Sequence, residues 1–265
     1  MTIDDIEETS RAASSAPAVT RAAAILDVIA AARSAVPLSD LARQLGLPKS
    51  STANICLALE TAGLLTRSEG GFVLGRKTVE LGGAYLRGVD EVRRFYELCA
   101  ASPYLSQETA RIAVMDGLDV LYLARYDGRQ PLRLTAGIGD RFPASCTATG
   151  KALLARLPEE VLDDRLSGVR ALPTLTDRSL ATPAALRAEL ARTRERGWAV
   201  DDEETTPGVT CLAVAAPGQR TDSTAMAVSV TVLTARLDEV TRTALLSELR
   251  TIATDMGNPL IPAGR

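Results

Sequence analysis

From residue 39 the sequence reads "SDLARQLGLPKSSTANICLALETAGLLTRSEGGFVLG", an order of helix starts, helix stops and a glycine-tipped hairpin that few folds accept. In "SDLARQLG", Leu41 and Leu45 lie four apart and so share a helix face; Ser39 can cap its start and Gly46 ends it. Pro48 suits the first turn of the next helix, which runs to about Ala62 and stops at Gly63. Ile55 and Leu59 form its apolar face, with Cys56 beside them. Upstream, Ile25, Leu26 and Ile29 recur on one face of a helix that Thr20 can cap. Pro37 closes that segment, because the residue before a proline is pushed out of the helical region. Downstream, short strands at 64–66 and 72–74 flank Ser-Glu-Gly-Gly, whose glycines supply the positive φ of a tight hairpin. Three helices followed by a hairpin is the order of a winged helix-turn-helix.

The chain has 265 residues, room for a second domain. Residues 1–18 are polar and rich in small residues and read as a disordered tail. The winged helix-turn-helix occupies 19–75, and linker helices occupy 76–101, broken around Gly82-Gly83 and Gly88. A second domain spans 102–257 and a short tail 258–265. In it, "TARIAVMDG" and "LDVLYLARYDG" have strand composition and are joined at Asp116-Gly117. "PLRLTAGIG", "WAVDDEE", "VTCLAVAAP" and "TAMAVSVTVL" are further strands. "CTATGKALLARL", "PEEVLDDRL", "TPAALRAELARTRERG" and the closing "LDEVTRTALLSELRTIATDMG" are helices. The mixture with antiparallel-type connections gives an α+β chain.

Composition narrows the chemistry. There is no histidine, which removes Ser-His-Asp and Cys-His catalysis and Cys₂His₂ zinc sites. Cys56, Cys99, Cys146 and Cys211 are widely separated and fit reduced thiols in a cytoplasm. The N-terminus lacks an apolar core of the secretory type, and no apolar run is long enough for a bilayer. Aromatics make up 3% of the chain, too few for a base-stacking platform. No cofactor and no metal site is expected; "DDEE" at 201–204 reads as a solvated turn.

The formal net charge is −3, yet residues 19–88 hold eight basic against five acidic side chains. A local positive block suits phosphates. The second helix of a helix-turn-helix pair enters the major groove with its N-terminal residues at the base edges. Here those residues are Lys49, Ser50, Ser51, Thr52 and Asn54. Lysine and hydroxyls suit phosphates, and an asparagine can hold adenine through two bonds. Ser39 and, in the hairpin, Arg67 complete the candidate contacts to double-stranded operator DNA.

These segments, together with "PASCTATGKALLA" and "RGWAVDDEETTPGVTCLAVAAP", resemble the IclR family of bacterial transcriptional regulators over roughly residues 19–257. The resemblance implies a winged helix-turn-helix, a linker helix, and a C-terminal GAF-like α/β domain that binds a small organic effector. It also implies a homodimer, or a tetramer built from dimers, and a repressor rather than an enzyme. Many members carry a histidine–arginine pair in the recognition helix; Ala53 and Asn54 stand at the resembling positions, which implies a different operator.

The helix start in "CTATGK" exposes backbone N–H groups that suit a small carboxylate. The resemblance implies that Ala148 and Thr149 offer such groups and that Asp201, Cys211, Ser229 and Thr231 offer polar side chains. Ser229 and Thr231 alternate onto one face of their strand. Leu134, Phe142 and Val209 are the implied apolar walls. With no arginine among them, a strongly charged dianion is disfavoured. Two other readings remain. One is an enzyme with Cys146 or Cys211 as nucleophile and Asp201 as base, lacking a histidine to activate the thiol. The other is a protein–protein adaptor that uses the winged helix for contacts.

Overall fold

Proline sets where the first three helices begin. In the computed structural model, which describes residues 15–130, 132, 136–217 and 225–256, α1 (Pro17–Ala31) has proline in its first turn. Helix α2 (Leu38–Gln44) follows Pro37, and α3 (Lys49–Thr61) follows Pro48. A proline's fixed φ suits a helix entrance, and it carries no N–H to leave unpaired there. Thr20 and Ser39, expected as caps, therefore lie inside helices that start earlier. Residues 1–14 and 257–265, which hold most of both expected tails, lie outside the described residues, and Pro17 and Ala18 are already helical.

After Gly63, at φ +75°, the chain turns into β1 (Leu65–Ser68), which pairs antiparallel with β2 (Gly71–Leu74). Val36 bridges to Phe72 and widens the hairpin's inner edge. At Gly71 a side chain is impossible, because a Cβ would stand 2.2 Å from the Val36 carbonyl oxygen. Ile25, Ile29, Val36, Leu41, Cys56, Leu59, Leu65 and Phe72 form the buried core. Each large aliphatic among them contributes about 1.5–3 kcal/mol by leaving water. Helix α4 (Lys77–Arg87) then runs unbroken through Gly82-Gly83 and ends at Gly88. The expected interruption at the glycine pair does not form, since glycine lowers helix propensity but still donates its backbone hydrogen bond.

The chain divides into two compact units between Gly88 and Val89. The second opens with α5 (Asp90–Ala101), followed by β3 (Thr109–Asp116), β4 (Asp119–Asp127) and a short β5 (Arg141–Pro143). Helices α6 (Ala148–Leu154), α7 (Glu159–Leu166) and α8 (Pro183–Arg196) come next. Strands β6 (Ala199–Asp202), β7 (Val209–Ala215) and β8 (Met226–Leu233) and helix α9 (Glu239–Met256) complete it. One antiparallel sheet results, in the order β5-β4-β3-β8-β7-β6. Of the candidate strand "PLRLTAGIG", residues 131 and 133–135 lie outside the described residues, while 132 and 136–139 are irregular or turn and not strand. Strand β5, at three residues, is too short to show a period in the sequence.

Helices α5 and α9 pack on the sheet and are tied by a two-point ion pair. Arg94 Nε donates to Asp255 Oδ2 at 2.6 Å, and Nη2 donates to Oδ1 at 3.1 Å. Helix α6 packs on five of the strands and is buried along its whole length. Its tightest point is Gly150, where a Cβ would stand 2.3 Å from both the Cα and the carbonyl oxygen of Ala144. Gly150→Ala should therefore destabilise this unit by about 1–3 kcal/mol, measured by urea unfolding; an unchanged midpoint would show that the backbone at Ala144 is free to move.

Candidate functional site

Alanines decide how close α6 comes to the sheet. The register sets Ala113 opposite Ala227, Ala227 opposite Ala215, and Ala199 opposite Ala213, so that one face carries a floor of methyl groups. The small residues of α6 seat on this floor, together with Ala144, Ala148 and Ala152 in one buried cluster. On the same face, Cys211 lies opposite both Asp201 and Thr231, and Ser229 lies opposite Arg111. Side chains there grow longer and polar just where α6 begins. The Thr147 hydroxyl closes that helix end by accepting from the Gly150 N–H at 3.1 Å.

Between the polar strand positions and the start of α6 lies a cavity of about 40 Å³. The structure brings Phe142, Ala148, Thr149, Asp201, Cys211, Ser229 and Thr231 together in its lining. Val209 is buried but does not line it, and Leu134 lies outside the described residues. The lining residues not expected from the sequence are Arg111, Tyr122, Ala136, Thr147, Thr205 and Thr206. Arg111 carried a usable signal, as a lone cation in the strand "TARIAVMD" whose neighbours are apolar. Its presence corrects the expectation of a pocket without arginine. Tyr122 had no such signal: it faces the cavity because the register slips between Ile112 and Ala113, which turns Tyr122 to the side of Ala113.

The electrostatics are those of a largely buried site. Burial pushes the Tyr122 hydroxyl up to about 12, with Thr149 and Arg111 pulling the other way. The Cys211 thiol is also pushed up to about 12, first by burial and then by Asp201, against a lowering by Thr231 and Arg111. Burial raises the Cys146 thiol as well. Both thiols therefore stay protonated near neutral pH, the wrong state for a nucleophile. Asp201 is 1% exposed and raised by burial. Its Oδ1 accepts from the N–H groups of Glu204 at 2.7 Å and Thr205 at 3.1 Å, and its Oδ2 accepts from the Thr205 hydroxyl at 2.6 Å.

Those three bonds fold "DDEE" into a tight turn with Glu203 at φ +61°, and the turn corrects the solvated reading of this segment. Glu204 points inward and pairs with Lys151, which is fully buried on α6. Lys151 carried its own signal in "GKALLA": a cation inside a run of small apolar residues needs a buried partner. Among the described residues no group of histidine, cysteine, aspartate or glutamate could hold a metal ion.

In the first unit, Ser39, Lys49, Ser50 and Asn54 are exposed, and Ser51 is half-buried. Thr52 is fully buried and its hydroxyl donates to the Pro48 carbonyl, so it faces the core rather than solvent. The reason is helical arithmetic: Thr52 shares a face with Cys56 and Leu59, both core residues. Arg67 lies over the Phe72 ring at 4.8 Å and pairs with Glu60 at 3.3 Å. Asn54 also borders an apolar groove between α1 and α3, lined by Val19, Ala22 and Leu26 on one side and Ile55 and Ala58 on the other.

Two family descriptions match the chain: the IclR helix-turn-helix domain over residues 18–69, and the bacterial transcriptional regulator IclR C-terminal domain over residues 97–258. The HTH-type transcriptional regulator XynR of Escherichia coli (strain K12) is 31% identical over 224 residues, 83% of this chain and 88% of that protein. Transcriptional repressor IclR of the same organism is 30% identical over 209 residues, 77% of this chain and 76% of that one. A putative transcriptional regulator from Rhodococcus sp. RHA1 has the same fold, with a TM-score of 0.76 and 26% identity over 91% of this chain and 96% of that one.

The Lys151–Glu204 pair makes stability depend on pH. Burial outweighs the Lys151 charge and pushes the Glu204 carboxyl up to about 7 from its ordinary 4.5. Between those values the folded chain keeps a proton that the unfolded chain releases, so stability falls as pH rises through this window. Asp201 and Glu108, also raised by burial, push the same way. Urea midpoints should decline from about pH 5 to about pH 8, and Glu204→Gln should flatten the decline; an equal slope in both proteins would contradict this assignment.

Proposed function

This chain belongs to the IclR family of bacterial transcriptional regulators, and from that premise we propose that it is a sequence-specific repressor whose hold on operator DNA is set by a small organic effector in the cavity of its second unit. The observation that carries this reading is the pairing, in one chain, of a helix with exposed polar first turns and a cavity lined by convergent polar groups. Lys49 and Ser50 hold phosphates, and Asn54 reads a base edge. In the second unit, Thr149, Asp201, Cys211, Ser229 and Thr231 meet the effector, with Phe142 as an apolar wall. The protonated thiols and the absence of histidine support a binding role rather than catalysis.

The active form is a homodimer or a tetramer of dimers. Helix α4 supports this, because it buries none of its residues within its own unit and leaves Val79, Leu81 and Tyr85 each more than half exposed. A cytoplasmic place follows from the DNA partner, and among the described residues no helix is long and apolar enough to cross a membrane. Light scattering on Tyr85→Asp should report a smaller assembly than the unaltered chain; an unchanged mass would contradict pairing through α4.

The direct test is fluorescence anisotropy on the DNA flanking the chain's own gene, against scrambled DNA, over a range of salt. Lys49→Ala should weaken binding to both DNAs alike and reduce the salt slope by about one phosphate contact. Asn54→Ala should cost about 1–3 kcal/mol at one operator position. A uniform loss from Asn54→Ala would sink its base-reading role, and equal affinity for native and scrambled DNA would count against an operator in that fragment.

A further inference from the structure

A regulator of this kind leaves the chemistry of its effector open, and Arg111 is the residue that narrows it. Arg111 lines the cavity at 3% exposure. Its Nη1 donates to the Thr231 hydroxyl at 2.7 Å, but Nε and Nη2 are buried without a hydrogen-bond partner. No carboxylate among the described residues pairs with it. Arg125, opposite Arg111 on β4, is different: its Nε reaches Asp127 at 2.8 Å, and its Nη1 and Nη2 reach the carbonyls of Ala136 and Leu132. A buried cation with one edge unused is costly to fold around unless something fills that edge.

The chain itself shows what fits. In Arg94 the same two atoms, Nε and Nη2, hold both oxygens of the Asp255 carboxylate. A planar fork of two N–H groups matches a carboxylate. Across the cavity the sign reverses. Cys211 feels both ends at once, Asp201 raising its thiol and Arg111 lowering it. The cavity is thus cationic at the β3 end and acidic at the β6 end, across the four neighbouring strands β3, β8, β7 and β6. Asp201 accepts three bonds from its own turn, and at the fourth acceptor site of a carboxylate its neighbour is the Cys211 thiol, a weak donor that a ligand hydroxyl can replace. A volume of about 40 Å³ admits a ligand of only a few heavy atoms.

Resting on the regulatory reading of this cavity, we propose that the effector is a small hydroxy acid, its carboxylate held on Nε and Nη2 of Arg111 and its hydroxyl donating to Asp201. The acid end makes Arg111 the residue that selects an anion over a neutral molecule of the same shape. The hydroxyl end makes Asp201 the residue that rejects a plain fatty acid. A single guanidinium facing a single carboxylate selects a monoanion.

Calorimetry on the full chain with glycolate, lactate, acetate and glycolamide tests this. Glycolate or lactate should bind, acetate about tenfold more weakly for lack of the donor, and glycolamide not measurably for lack of the charge. Arg111→Gln should weaken the hydroxy acid by about 10- to 100-fold, with Arg111→Lys in between, since lysine keeps the charge but not the fork. The ligand-free Arg111→Gln protein should melt no lower than the unaltered chain, because it loses an incompletely paired buried cation.

Glycolamide binding as tightly as glycolate, Arg111→Gln binding the acid undiminished, or none of the acids binding would overturn the proposal. Its failure and that of the regulatory reading are distinguishable. Arg111-dependent acid binding with no effect on DNA affinity would uphold the hydroxy-acid site and defeat regulation through it. Release of DNA by a neutral metabolite alone would do the reverse.

Discussion

The close approach of α6 to the sheet is the constraint on which the second unit depends. It needs alanines on four strands beneath the helix and a glycine where the helix meets Ala144. A larger side chain at any of these places would lift the helix, since packed interiors hold few voids and move little to fill or relieve them. Because α6 lies so close, it also carries Lys151 fully into the interior, where Glu204 pairs with it. Glu204 can answer because Asp201 closes the turn that aims it inward. Helix, floor, ion pair and turn are therefore one packing solution, and the cavity is the volume left at the end of α6.

That arrangement explains why the cavity is both small and polar. The methyl floor ends where the strands carry Arg111, Ser229, Thr231, Cys211 and Asp201 instead. Burial of the lining strengthens each electrostatic contact made there, because protein screens charge less than water does. Burial keeps Cys211 and Tyr122 protonated, which suits recognition and not attack by either group. Its chemistry is that of a sensor.

Much of the first unit was legible in the sequence because its signals are local. Gly46, Pro48, Gly63 and the Gly70-Gly71 pair each dictate backbone geometry within a few residues, and the helices and hairpin fall where they direct. Thr52 departs from expectation because its polarity suggests DNA while its position on the Cys56 face turns its hydroxyl to the Pro48 carbonyl. In the second unit the strands were visible but their register was not. Asp201, Cys211, Ser229 and Thr231 meet because of register across β6, β7 and β8; a resemblance points to all four, and the strand period adds only that Ser229 and Thr231 share a face. Arg111 and Tyr122 come from β3 and β4, and a register slip turns Tyr122 inward. Contacts set by non-local pairing leave little trace in any short window of sequence.

Regulation requires that the two units share free energy, which reduces to a reciprocal quantity. If the effector changes operator affinity by some factor, operator DNA must change effector affinity by the same factor. The decisive measurement is calorimetric titration of the effector into the free protein and into the protein saturated with operator, alongside DNA titrations with and without effector. The account predicts one shared factor of about 5- to 150-fold in both directions, with the effector binding more weakly to the DNA-bound form. Effector affinity that is identical with and without DNA would contradict it, whatever else binds in the cavity.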